Sequence, residues 1–191
     1  SEYGLDADAI VAAVKKKVEA DPYWHGHGAV ALNNPHNATG RVFDEAAMRR
    51  LIVELLEMNV FIIDDLSYQD VAPAETLRRI KTVRQLTDDL VRDGQLTDDL
   101  ANNVISVHSV SKTDCLAGAR LAVVEINDAV LRDAFLSAQQ HIQPNIAAIL
   151  LTYLFYRNST EVPRAYWRLR NQIFLERSNA LVQAASQLPK E

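Results

Sequence analysis

The chain has 191 residues, 48% hydrophobic and 24% charged, with six Gly and six Pro, a composition that excludes a disordered or fibrous protein and suits one well-filled domain. Twenty Lys and Arg against twenty-five Asp and Glu give a formal net charge of −5, which argues against a surface built to collect nucleic-acid phosphates or anionic lipid. The longest apolar run, Ile146 to Tyr156, is interrupted by Thr152 and falls short of the ~20 residues that span a bilayer.

Amphipathic helices alternate with short apolar runs along the chain, the pattern of an α/β fold. Ala9 to Glu19 carries Ile10, Val11, Val14 and Val18 at helical spacing, with Asp6 and Asp8 ahead of it as N-cap and first-turn acid. His25 and His27 are spaced as His-x-His beside Trp24, but no third metal ligand stands at a recognisable spacing, so they are expected as loop residues. Gly28 to Asn33 is a small and β-branched run that predicts a strand buried on both faces. Asp44 to Glu57 returns to helical period, and Val60 to Ile63 predicts a second buried strand, capped by Asp64 and Asp65. Ile105 to Val110 and Leu121 to Ile126 predict the third and fourth. From Asp128 the pattern is helical, with breaks at Gln143-Pro144-Asn145 and around Asn158 to Pro163, and Ala165 to Leu188 reads as one long helix.

Between the second and third strands lies Ala72 to Asn103, in which Gln85-Leu86-Thr87-Asp88-Asp89-Leu90 recurs as Gln95 to Leu100. Thr and Asp in each copy are plausible N-caps and Asp93-Gly94 a turn, which predicts two short helices. The segment is expected as a surface insertion, with cover for a site or a subunit contact as the alternative.

Polar clusters follow three of the predicted strands, and in α/β sheets ligands bind outside the carboxyl ends of parallel strands. The clusters are Asn34-Pro35-His36-Asn37-Ala38-Thr39-Gly40-Arg41, then Asp65-Leu66-Ser67-Tyr68, then Ser109-Val110-Ser111-Lys112 with Gly118-Ala119-Arg120 after it. Each alone suits an ordinary turn, cap or solvated surface; in this order they form a constellation. It resembles the class I/II aminotransferases, fold type I enzymes that use pyridoxal 5′-phosphate (PLP), whose pattern is NPxNPTG, then D-x-x-Y, then S-x-S-K and G-x-R. The resemblance covers most of the chain and leaves Ala72 to Asn103 as an insertion relative to the usual spacing.

The resemblance implies a three-layer αβα large domain with a mostly parallel sheet. Residues 1–160 would be its central part and 161–191 a long helix leading toward a small domain. It implies that Lys112 forms the Schiff base with the cofactor aldehyde and then serves as base at Cα. Burial among other cations would keep the amine neutral. Asp65 would lie against the pyridine nitrogen and keep it protonated. Tyr68 and Asn37 would reach the phenolic oxygen, and Arg120, Ser109 and Ser111 would hold the phosphate.

Two departures stand out. Ala38 replaces a Pro that in the family is often reached through a cis bond, and because a non-proline cis peptide costs roughly 2.5–4 kcal/mol, Asn37–Ala38 is expected to be trans. Ala122 stands where a Gly usually follows the Arg, a small change near the phosphate. The family's Gly-rich phosphate loop, ring-stacking aromatic residue and small-domain Arg have no counterpart here, so the sequence is expected to be the middle of a larger enzyme.

The expected activity is transfer of an amino group between an amino acid and a 2-oxo acid, in a homodimer. A related PLP enzyme such as a C–S lyase, decarboxylase or cyclase is the alternative, because His36 in an NPHN loop also suits the C–S lyases. A non-catalytic truncated module is a third possibility. The lone Cys115 and the acidic start Ser1-Glu2-Tyr3, unlike a signal peptide, point to a reducing cytoplasm. Cys115 is expected to be packed and inert. Arg164, Arg168, Arg170 and Arg177 are expected on a solvated, ion-paired helix face, and Trp167, Leu169, Ile173 and Phe174 at the dimer interface or against the small domain.

Overall fold

A computed structural model describes residues 4–157 and 161–188. The start at Ser1 to Tyr3 and the break at 158–160 lie outside the described residues. Helix α1, Ala7–Ala20, starts at the expected cap, where the Asp6 carboxylate accepts the Ala9 N–H at 2.9 Å. Strand β1 is Ala29–Asn33, and α2, Glu45–Glu57, is capped by Asp44 through the Ala47 N–H. Strand β2, Phe61–Asp65, is followed by α3 (Ala74–Leu77), α4 (Val83–Arg92) and α5 (Asp98–Ala101). Strand β3, Val104–Ser109, runs directly into the single turn α6, Val110–Thr113. Strand β4, Ala122–Ile126, precedes α7 (Ala129–Gln139), α8 (Ile146–Tyr156) and α9 (Glu161–Ser186). Pro163 falls in the first turn of α9, where a missing N–H costs nothing.

The four strands form one sheet in the order β1-β2-β3-β4, with β1, β2 and β3 parallel and β4 antiparallel to β3. Register sets Val30, Ile62 and Val104 side by side, and Leu32, Asp64 and Ser106 in the next row. These rows face the core, where Leu51, Ile52 and Leu55 of α2 and Leu86 and Leu90 of α4 are buried with Val14 of α1. The alternate strand residues tell a different story. Ala29 and Ala31 are exposed, and Ile63, Ile105 and Val107 are half-buried. The expectation of strands buried on both faces is therefore corrected: α2 packs on β2 and α4 on β3 from one side, with α1 against α2 behind them.

The surface reading of Ala72 to Asn103 is also corrected. Parallel neighbours need a crossover connection, and α4 is the covering helix of the β2-to-β3 crossover, with Val83, Leu86, Thr87 and Leu90 buried. Three helices stand there instead of two. Thr97 caps α5 as expected, but Thr87 lies inside α4 and donates its hydroxyl to the Val83 carbonyl, while a capping box at Thr82 and Gln85 starts the helix.

Candidate active site

Three parallel strands end at one edge of the sheet, and each last residue carries a polar side chain: Asn33, Asp65 and Ser109. Asn33 pairs with Asp65 in register, and Ser109 with Ala122 at the start of β4. Because β4 returns antiparallel, its approach segment brings Arg120 to that same edge, and the Val110 N–H donates to the Leu121 carbonyl at 3.4 Å.

Asn33 organises the first loop and joins it to the second. Its amide Nδ2 donates to the Asp65 carbonyl at 2.9 Å, and its Oδ1 accepts the Asn37 N–H at 2.7 Å. The loop closes through His36 N–H to the Arg41 carbonyl at 2.9 Å and Gly40 N–H to the His36 carbonyl at 2.8 Å, with Gly40 at φ +64°. His36 Nδ1 lies 3.1 Å from the Thr39 hydroxyl. Among the described residues the cis peptide is Asn34–Pro35, so Asn37–Ala38 is trans, as expected.

Both Asp64 and Asp65 belong to β2, so their side chains point to opposite faces. Asp65 is half-buried, and its Oδ1 accepts the Ser67 N–H at 3.0 Å and the Ser67 hydroxyl at 2.5 Å. Its Oδ2 accepts no hydrogen bond among the described residues. Asp64 is buried in the core beneath the start of α4, where its Oδ2 accepts the Arg84 N–H at 3.4 Å. Burial pushes its carboxyl up to about 7, against the opposing pull of the Arg84 and Val83 N–H groups.

The third loop begins with Ser109, whose hydroxyl accepts the Ser111 N–H at 3.2 Å and turns the strand into α6. Half-buried Ser111 and exposed Lys112 follow on that turn. Lys112 Nζ lies 6.0 Å from the centroid of the Tyr68 ring, within cation–π range, and has no hydrogen bond or ion pair among the described residues. The Thr113 hydroxyl donates to the Ser67 carbonyl at 3.4 Å and so links this loop to the second. Arg120 has a left-handed backbone, φ +50°, and its exposed guanidinium donates to the Ala117 carbonyl at 3.3 Å.

The structure thus ties together the loops that carry Asn37, Asp65, Tyr68 and Lys112, through Asn33, Ser67 and Thr113, and sets Lys112 beside Tyr68, with Ser109, Ser111 and Arg120 along the adjoining edge. Lys112 is exposed in this structure and not buried as expected. Exposed Cys115 corrects the packed reading; it has φ +55° and its thiol sits 3.9 Å from the Lys112 carbonyl. No cluster of metal ligands exists among the described residues, and the His27 ring stacks on Tyr23 at 4.3 Å between centroids. Residues missed in the sequence are Asn33 and Ser67, whose bonds hold the loops, and Arg170, which is buried and not on a solvated face. The Asn33-Asn34 doublet closing a strand was the available signal for the first.

The sequence profile of the family described as aminotransferase class I and II matches residues 1–184. The chain belongs to that family. The cofactor of class I and II aminotransferases is PLP. Among solved structures, this aminotransferase-family chain is similar to the PLP-bound C–S lyase from Staphylococcus hominis, with a TM-score of 0.72 and 19% identity over 97% of this chain and 41% of that one. It is also similar to N-succinyldiaminopimelate aminotransferase from Mycobacterium tuberculosis, with a TM-score of 0.68, 19% identity and coverage of 96% and 41%. Aspartate aminotransferase from Thermus thermophilus with maleate gives 0.68, 17%, 96% and 41%. The chain therefore spans about two-fifths of the length of these structures. No curated protein sequence matches it.

The donor set of this aminotransferase-family chain fits the cofactor. A carboxylate oxygen and an amine that are both without a hydrogen bond among the described residues, with hydroxyl and guanidinium groups at the same edge, match a ring N–H, an aldehyde and a phosphate. Among the described residues no helix is long and apolar enough to cross a membrane.

Proposed function

We propose that this chain is the cofactor-binding part of a PLP-dependent aminotransferase that moves an amino group between an amino acid and a 2-oxo acid. The observation that carries this reading is the meeting of Lys112 and Tyr68, from loops after different strands, with Asp65 at the end of the strand that leads to Tyr68. When bound, the cofactor supplies a conjugated cationic ring that takes up the electron pair left at the substrate Cα. Asp65 would accept the ring N–H and hold that proton in place. The Tyr68 hydroxyl and the Asn37 amide would donate to the phenolic oxygen, while Arg120, Ser109 and Ser111 would bind the phosphate. Lys112 Nζ would hold the cofactor at its aldehyde carbon and, when free, would move the proton at Cα.

In the same reading residues 1–160 are the central part of the cofactor domain and 161–191 lead toward a smaller one. The length of α9, 26 residues with an exposed C-terminal half, supports this. A homodimer is supported by the exposed apolar side chains of α8, and a reducing cytoplasm by the free Cys115.

A second reading, β-elimination from a thioether amino acid, is favoured by the His36 loop and by the likeness to a C–S lyase. Adding PLP to the purified protein should give a visible absorbance band that is lost in Lys112→Ala; no band in the unaltered protein overturns both readings. Incubation with an amino acid and a 2-oxo acid, scored for the new amino acid against pyruvate and thiol release from a cysteine thioether, decides between them.

A further inference from the structure

Arg170 and Asp114 are both 5% exposed, yet neither belongs to the group of side chains assigned above to the cofactor. Asp114 lies two residues after Lys112, and both of its oxygens are occupied. Oδ2 accepts the Tyr156 hydroxyl at 2.7 Å and Oδ1 the Trp167 indole N–H at 2.8 Å. The Arg170 guanidinium, on the same helix as Trp167, donates to the Thr113 carbonyl and to the Asp70 carbonyl. It also donates through Nε to Asn171 Oδ1 at 3.0 Å, and Asn171 Nδ2 in turn donates to the Asp70 carbonyl at 2.9 Å. One side chain of α9 therefore grips two backbones: that just beyond Tyr68 and that just beyond Lys112. Burial raises the Asp70 carboxyl, and the Arg170 charge opposes that shift.

A buried guanidinium is an expensive way to attach a helix. Apolar contacts of similar volume stabilise as well or better, whereas a buried charged network fixes geometry. The two carbonyls it joins lie on separate connections, Asp70 on the β2-to-β3 crossover and Thr113 on the short β3-to-β4 link, and Lys112 Nζ, just before the second, stands 6.0 Å from the ring centroid of Tyr68, just before the first. We propose that Arg170, with Asp114, is a positioning residue for the cofactor: it sets the separation between the Asp65–Tyr68 loop and the Ser109–Lys112 turn and makes that separation depend on the seating of α9. This rests on the PLP reading.

The test compares the unaltered protein with Arg170→Lys, which keeps the charge but loses the fork that spans two carbonyls, and with Tyr156→Phe, which removes one bond to Asp114. PLP is titrated into each, and the pH midpoint of the bound cofactor's visible band is followed beside the melting temperature. Positioning predicts a cofactor affinity weaker by about tenfold in Arg170→Lys. It also predicts a midpoint moved by about half a unit or more. Tyr156→Phe should change both quantities in the same direction and by less. A lowered melting temperature with affinity and midpoint unchanged overturns the proposal and leaves the PLP reading standing. If Arg170→Lys does not fold, an unchanged midpoint in Tyr156→Phe overturns it. Absence of a band in the unaltered protein overturns the PLP reading and this one with it.

Discussion

Asn33 bonds outward in two directions, to the carbonyl of Asp65 and to the N–H of Asn37, so the two loops share one amide. Asn33→Ala removes both bonds and leaves a half-buried carbonyl and an N–H to find water, a loss of about 1–3 kcal/mol of stability. Asn33→Asp restores the acceptor for Asn37 but not the donor to Asp65. Under the proposed function PLP affinity should follow the donor and stability should follow both, so Asp at this position should recover stability more than affinity. Urea denaturation and cofactor titration of both variants check this. At this scale the sequence is legible where chemistry is tied to spacing: D-x-x-Y and S-x-S-K point to Asp65, Tyr68 and Lys112, and the folded chain sets Lys112 beside Tyr68. Asn33, Ser67 and Arg170 were not legible, because what they do depends on which backbone atoms arrive beside them, and neighbours distant in sequence decide that.

Consecutive aspartates on β2 show how an element assigns roles. Asp64 and Asp65 were both expected as caps beyond the strand, but both lie within it, and the alternation of a strand sends one to the open face and one into the core. Asp64 is 1% exposed, beneath the first turn of α4, where burial raises its carboxyl, the Arg84 charge opposes that shift and the Asp65 charge adds to it. Its folded pKa of about 7 stands above the ordinary 3.8, so the folded state retains the proton longer than the unfolded one. This group's contribution to stability is therefore greatest below about pH 4 and falls as pH rises through 7, by on the order of 4 kcal/mol. Asp64→Asn should flatten the dependence between pH 4 and 7 and should be more stable than the unaltered protein at pH 8. Equilibrium urea unfolding across that range checks both the slope and the crossing. The α4 result belongs here too. Its apolar spacing, Val83, Leu86 and Leu90, was present in the sequence, but the eye-catching repeat drew attention to Thr87, which the helix buries. Hydrophobic period was the better guide to the element than similarity between two short copies.

Over the whole molecule, apolar surface is distributed unevenly. The core between the sheet and α1, α2 and α4 is closed, with Leu51, Ile52, Leu55 and Ile62 fully buried. By contrast α8 is apolar on every side and buries only Ala148, leaving Ile146 75%, Leu150 55% and Leu154 55% exposed. A helix of that composition is stable when covered, and contiguous exposed apolar area drives association. The protein should therefore bind a hydrophobic dye and sediment with a concentration-dependent mass at micromolar levels, and Leu150→Lys with Leu154→Lys should reduce both. A monodisperse monomer without dye binding would show this surface to be covered in solution. The α/β class and the approximate bounds of all four strands were legible from alternating periods. The open second face was not, because a run such as GAVALN looks the same whether one side of it or both are packed.

The antiparallel return of β4 has a consequence for how the edge is assembled. The strands that carry Asn33, Asp65 and Ser109 meet through long crossovers, from Asn34 to Val60 and from Leu66 to Asn103, whereas β3 and β4 close through the short stretch from Val110 to Leu121. Loop-closure entropy rises with length, and contacts of low sequence separation form before those that span a crossover. Ser109, Lys112 and Arg120 all belong to that one hairpin-like unit. The groups proposed to grasp the phosphate and the aldehyde carbon thus come from one unit of short sequence separation, while Asp65 and Asn37 come from the parallel half of the sheet, whose pairing spans the long crossovers.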